Sequence, residues 1–166
     1  MRVSVVTNST PIIALAYLQQ IELLNNLFDK VYVTQQVYDE IVENDETRVG
    51  AGELKKRVQE GFIVLYNITD KKFIDLMHGR LHSGELSVMV AAKELNINYV
   101  LMDDAFARKT AESFSLIPIG TVGILKLAKI IGLLTEVKSS LNKLIENNFR
   151  ISLKLYNEVL KDVNEL

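Results

Sequence analysis

Short β-branched runs alternate with longer stretches of helical period along the chain. Residues 2–6 (RVSVV), 31–33 (VYV), 62–66 (FIVLY), 99–102 (YVLM) and 116–119 are predicted as five strands. Each is a near-continuous apolar run, the pattern of a strand buried on both faces. Ser9 or Thr10 is positioned to cap the first helix, with Pro11 at its first position, where a missing N–H costs nothing. Helical period continues through Ile12, Ala16, Leu23, Leu24, Leu27 and Phe28, with a break expected near Gln19. Thr34 caps a helix carrying Val37, Tyr38, Ile41 and Val42. Residues 44–52 read as a polar loop, 53–60 as a short helix and 70–77 as another, ended by Gly79. Ser83 is placed to cap a helix whose face holds Leu86, Val90 and Leu95. Helices over 105–114, 122–131, 135–147 and 152–163 complete the pattern.

Strands alternating with helices predict a parallel sheet covered on both faces. Crossovers in such sheets are right-handed. Ligands bind outside the carboxyl ends of the strands, at the point where strand order reverses. The residues that follow each strand are therefore where chemistry is expected.

Composition narrows the function classes. The chain has 166 residues, 48% of them hydrophobic and 24% charged, which suits one globular domain over residues 1–166 with the helices of about 135–164 packed on it. It has no cysteine, so disulfides, thiolate zinc sites, iron–sulfur clusters and cysteine nucleophiles are excluded. No apolar run approaches the roughly 18–20 residues of a membrane span, and the first residues lack a signal-peptide pattern; a cytoplasmic protein without membrane association is expected. Neither GxGxxG nor a Walker A pattern occurs, which disfavours a nucleotide cofactor. The net charge of −2 argues against a protein that coats DNA through many basic contacts. The charge is uneven: residues 37–53 hold six acids and one base, whereas 104–154 hold eight bases and four acids. An acidic end beside a basic surface is compatible with a metal site next to a phosphate track.

The strand ends carry acids. Thr7-Asn8-Ser9-Thr10-Pro11 follows the first strand, Asp103-Asp104 the fourth, and Gly84-Glu85 opens the helix before it. Glu40 lies in the helix after the second. Clustered carboxylates repel, and oxygen-rich groups of this kind usually hold Mg²⁺ or Mn²⁺, which can activate water for phosphodiester hydrolysis. Each residue also has a plain structural role open to it. Asn8 can close a turn onto Thr10, Ser9 and Thr10 can cap, and Glu85 can complement the helix dipole. Asp103 or Asp104 can be an N-cap, and Glu40 can be solvated. His78 and His82, the only histidines, have helical i, i+4 spacing, but Gly79 disrupts the helix that a paired metal site needs. His82 beside Glu85 can still serve a substrate or a proton. Gly120-Thr121-Val122-Gly123 reads as a turn with close helix packing.

The ordered set of segments VVTNSTPIIAL (5–15), VYDEI (37–41), LHSGE (81–85), VLMDDAFAR (100–108) and IGTVGIL (119–125) resembles PIN-domain proteins over nearly the full length, the tail FRISLKLYNEVL (149–160) included. The resemblance implies a three-layer α/β/α sandwich around a central parallel sheet of about five strands. It implies a Mg²⁺- or Mn²⁺-dependent ribonuclease, as in the toxins of toxin–antitoxin pairs, with RNA as substrate, an antitoxin protein as partner and a homodimer as the usual assembly. Asn8, Glu40, Glu85, Asp103 and Asp104 match the family's catalytic acids; Asn8, Glu85, Asp103 and Asp104 match its metal ligands. Ser9 and Thr10 would touch metal-bound water or phosphate. Arg80, Arg108 and Lys109 are candidates to hold the RNA backbone.

One position departs from the family: its first acid is aspartate, and here it is Asn8. The amide has the carboxylate's shape but lacks its charge and is a weaker ligand for a hard cation. Three readings stay open: an enzyme with weakened metal binding, a non-catalytic module that binds RNA or a partner protein, or an inactivating replacement in a nuclease. In the second, the late helices, with Leu133, Leu134, Leu141, Leu144, Ile145, Leu153, Leu155 and Leu160, offer apolar surface for a partner or simply cap the core. A phosphatase on a similar sheet is disfavoured, since its nucleophilic aspartate would stand where Asn8 does.

Overall fold

A computed structural model describes residues 2–43, 47–77 and 79–166. His78 and the first three residues, 44–46, of the expected loop at 44–52 lie outside the described residues. Five strands, β1 (Val5–Thr7), β2 (Val31–Thr34), β3 (Ile63–Tyr66), β4 (Tyr99–Leu101) and β5 (Ile117–Ile119), form one all-parallel sheet in the order β3-β2-β1-β4-β5. The helices, in chain order, are α1 (Ser9–Tyr17), α2 (Leu23–Leu27), α3 (Gln35–Val42), α4 (Ala51–Gln59), α5 (Lys71–Met77), α6 (Ser83–Glu94), α7 (Ala105–Ser113), α8 (Thr121–Ile130), α9 (Lys138–Glu146) and α10 (Leu153–Asp162). They cover both faces of the sheet, giving the three-layer α/β/α arrangement. The α6 helix packs across β1, β2 and β4 and against α3 and α5; α8 packs against α1 and α2.

The central strands bury nearly all their side chains: Val5, Val6, Val31, Val33, Val100 and Leu101 are inaccessible, and Tyr32 and Tyr99 are partly buried. Edge strands do not need that, and Val64 of β3 and Ile117 of β5 are exposed. Pro118 sits in β5, opposite Val100 of β4; an edge strand tolerates it because one side of the ladder needs no donor. The chain winds outward from β1 to β3, then returns to place β4 on the other side of β1. The reversal between β1 and β4 is the switch point where such sheets open for ligands.

Most expected elements form, with shifts at their ends. The first strand begins at Val5 rather than residue 2, where its pairing with both β2 and β4 begins; Arg2 instead donates to the Asn25 and Asn26 carbonyls. The break near Gln19 is real, with φ of +55° there. The N-cap of α1 is Asn8, one residue before the expected Ser9, and Pro11 takes the third helical position, where its N–H is still not needed. His82, not Ser83, precedes α6. Thr34 caps α3 as expected, its Oγ1 accepting from Val37 N at 3.2 Å. The late helices divide: Leu141, Leu144 and Leu160 are buried in the main core, whereas Leu133, Ile145, Leu153 and Leu155 are exposed.

Candidate active site

The residues after β1 and β4 meet at the switch point because the ladder runs one residue beyond the strands. Asn8 N donates to Leu101 O at 2.8 Å, and Met102 N donates to Ile119 O at 3.0 Å. Asn8 is therefore held at the sheet's carboxyl edge with only 5% of its surface exposed. It occupies the N-cap of α1 without a side-chain cap hydrogen bond, so the Asx-turn role is not the one it plays. Ser9, next to it, donates from Oγ to Glu40 Oε1 at 3.0 Å. The hydroxyl thus orients the acid of α3 and does not cap its own helix.

Two glycines shape the space. A Cβ on Gly84 would stand 2.7 Å from Glu40 Oε2 and 3.8 Å from Asn8 Oδ1. Any larger residue there would push the Glu40 carboxylate away from Asn8. A Cβ on Gly120 would stand 2.6 Å from Arg108 Nη1 and 3.0 Å from Asp103 Oδ1. Gly120 thus lets a cation and an acid close over the end of β5.

Glu85 lies at the third position of α6, half-buried, with Oε2 accepting from His82 N at 3.1 Å. Burial pushes its carboxyl up from the ordinary range; the His82 N–H opposes this, and repulsion from Asp104 and Glu40 adds to the rise. Those interactions place Glu40, Glu85 and Asp104 in one electrostatic neighbourhood. Beneath them, Thr34 Oγ1 and Ser87 Oγ share a 2.6 Å hydrogen bond, and Ser87 Oγ donates to Gly84 O at 2.6 Å. Both hydroxyls are fully buried. This pair ties α3 to α6 and so fixes Glu40 relative to Glu85. Ser87 escaped the sequence reading; its one signal is a lone hydroxyl inside the apolar run of α6.

The two aspartates have different jobs. Asp104 is the N-cap of α7, its Oδ1 accepting from Ala107 N at 2.8 Å, and it is exposed. Its Oδ2 has no hydrogen-bond partner among the described residues. Asp103 accepts from Thr121 N at 2.7 Å through Oδ1 and from Thr121 Oγ1 at 2.6 Å through Oδ2. It anchors the start of α8 to the end of β4. Each of its oxygens keeps a second lone pair. Thr121 was read only as part of a turn; a hydroxyl one glycine beyond an edge strand was the available clue.

The candidate RNA contacts separate. Thr10, Asp103, Asp104 and Arg108 line one cavity of about 840 Å³. Arg80 lines another, of about 780 Å³, with Asp39, Glu40, His82 and Gly84. Lys109 is exposed and lines neither, since adjacent helix positions face different directions. Among the described residues, no three His, Cys, Asp or Glu side chains stand together closely enough to hold a metal ion. No described helix is long and apolar enough to cross a membrane.

No curated protein matches the chain. A family model described as a PIN domain matches residues 4–165. With its parallel sheet and its polar cluster at the switch point, the chain belongs to the PIN-domain family.

Proposed function

We propose that the protein is a divalent-metal-dependent ribonuclease of PIN type, weakened by Asn8. The observation that carries this reading is the half-buried Glu85, whose carboxyl is raised by burial and by the neighbouring Asp104 and Glu40. Repelling carboxylates gathered at one strand edge suit a hard cation, and the side chains offer it oxygen donors. Asn8, Glu85 and Asp104 would hold Mg²⁺ or Mn²⁺, with Asp103 and Glu40 beside them. Bound there, the ion supplies positive charge and Lewis acidity toward a phosphoryl oxygen. The carboxylates around the ion, Glu85 among them, would take the proton of the attacking water. Glu40, fixed by Ser9, orients that water. Thr10 and Arg108 border the same cavity, where they position the phosphate.

A second reading is favoured by one pair of observations: Asn8 stands for an acid, and among the described residues no three acids stand close enough to hold a metal ion. In it the fold binds RNA or a partner without cleaving. A role as the toxin of a toxin–antitoxin pair, with an antitoxin protein as partner, and a homodimeric state belong to the proposal; exposed Ile145, Leu153 and Leu155 are the apolar surface such contacts use.

The test is cleavage of unstructured RNA in Mn²⁺ by the protein and its Asn8→Asp variant. Activity rising in Asn8→Asp by about 10-fold or more, and lost with chelator or Glu85→Ala, supports the ribonuclease. Absence of cleavage in both, with RNA still bound, supports the binding module.

A further inference from the structure

Two cavities flank the acid cluster, and their chemistry differs. The one with Arg80 also presents Asp39 and Glu40, and its described lining holds no Phe, Tyr or Trp. The larger one runs from Asp104 and Arg108 between β5–α8 and the last two helices, ending at Phe149, Arg150, Ile151 and Leu155. Two of its acids are already paired: Asp162 with Lys126, and Glu158 with Lys154 at 3.9 Å. Neither Arg108 nor Arg150 forms an ion pair among the described residues. Each end of this groove therefore carries a guanidinium outside any described ion pair, and at the mouth Arg108 lies near Asp103, beside the candidate catalytic acids.

The far end is fixed by backbone geometry. Asn148 has φ of +65°, a conformation asparagine tolerates just past a helix end. Phe149 N donates to Leu144 O at 3.0 Å and Asn148 N to Ile145 O at 3.1 Å. This paired pattern closes α9 and sets the direction of Phe149 and Arg150. The Phe149 ring is half-buried and meets Tyr17 edge to face at 5.9 Å. A held aromatic in a groove that also carries two arginines matches the stacking-plus-phosphate arrangement of single-strand binders.

We infer that this groove is the track for single-stranded RNA, with phosphates on Arg108 and Arg150 and a base stacked on Phe149. The inference rests on the ribonuclease reading for its choice of polyanion. It assigns the α9–α10 turn to substrate binding and leaves Arg80 outside the track.

The experiment is fluorescence anisotropy of a labelled oligouridylate at several salt concentrations, in chelator so that nothing is cut. Arg150→Ala is expected to weaken binding several-fold and to lower the salt slope by about 0.7. Phe149→Leu, which keeps apolar packing, is expected to weaken it about five-fold or more. Arg80→Ala is expected to change neither. Circular dichroism melts check that each variant folds. Unchanged slope and affinity in Arg150→Ala, or a loss in Arg80→Ala instead, overturns the assignment, as does RNA that binds no variant and not the parent. Cleavage that persists while binding ignores Arg150 and Phe149 overturns the groove and leaves the ribonuclease. Arg150-dependent binding without cleavage supports the groove and removes the ribonuclease.

Discussion

Glu85 and Glu94 stand at opposite ends of α6, and their carboxyls shift in opposite directions. The helix dipole alone would favour the charged form of Glu85 at the N-terminus and disfavour that of Glu94 at the C-terminus. The reverse is found. Burial pushes Glu94 up, but hydrogen bonds from Thr69, Asp70 and Tyr66 outweigh it and hold the carboxyl below the ordinary range. Thr69 Oγ1 donates at 2.6 Å, Asp70 N at 2.8 Å and Tyr66 OH at 2.9 Å. Glu94 thus satisfies the start of α5 from another element. Glu165 does the same for α9, accepting from Val137 N at 2.9 Å and Lys138 N at 2.8 Å and pairing with Lys129 at 3.1 Å. Glu85 receives one backbone donor from His82 and some attraction from its ring, against burial and two repelling neighbours. Acids that complete the fold are surrounded by donors. At Glu85 burial and repulsion prevail over its donor, and that distinguishes a site acid from a scaffold acid.

The contrast can be broken by removing carboxylates. Glu165→Ala should cost most, about 2 kcal/mol, seen as a Tm lower by roughly 4–8 °C for a chain of this size. Glu94→Ala should follow at about 1–2 kcal/mol, since its donors have easier access to water. Glu85→Gln should act in the opposite sense. It keeps an acceptor for His82 N and removes the repulsion, so thermal unfolding should show a gain of up to about 1 kcal/mol. A loss in that variant would mean Glu85 is a cap like the others.

Acid sharpens the same comparison. Glu94 and Glu165 have lowered folded-state values, so their contribution is complete above the ordinary glutamate pKa, about 4.3, and disappears as pH falls through the folded value. Glu85 has a raised folded-state value. Its penalty is absent in acid and grows as pH rises from the ordinary value through the raised one. Denaturant melts should show the Glu94→Gln deficit shrinking below about pH 4 and the Glu85→Gln gain appearing only above it. The smallest effect belongs to Gly84→Ala. Its methyl displaces only the end of the flexible Glu40 side chain, so stability should hardly move, while cleavage by Asn8→Asp should fall several-fold.

The sequence carried the strand–helix alternation and the switch-point segments, because both are written in local periodicity and in residues directly after strands. It also placed the Thr34 cap and the break at Gln19. It did not separate Asp103 from Asp104. Their roles depend on Thr121, 18 residues later, and on β4 lying beside β5. The caps supplied by Glu94 and Glu165 were hidden for the same reason, since their partners lie 24 to 28 residues away. Arg80 and Arg108 looked equivalent as basic residues near acidic motifs; only the fold assigns them to different cavities. Asn8 was visible as a departure from the family, but its freedom from capping depends on the backbone geometry around it.

The most direct test of the account measures thermal unfolding of the protein and of Glu85→Gln with and without Mn²⁺. Mn²⁺ is expected to raise the Tm of the parent, whereas Glu85→Gln should melt higher without metal and gain little from it. A parent indifferent to Mn²⁺, together with a Glu85→Gln variant that melts lower, would contradict it.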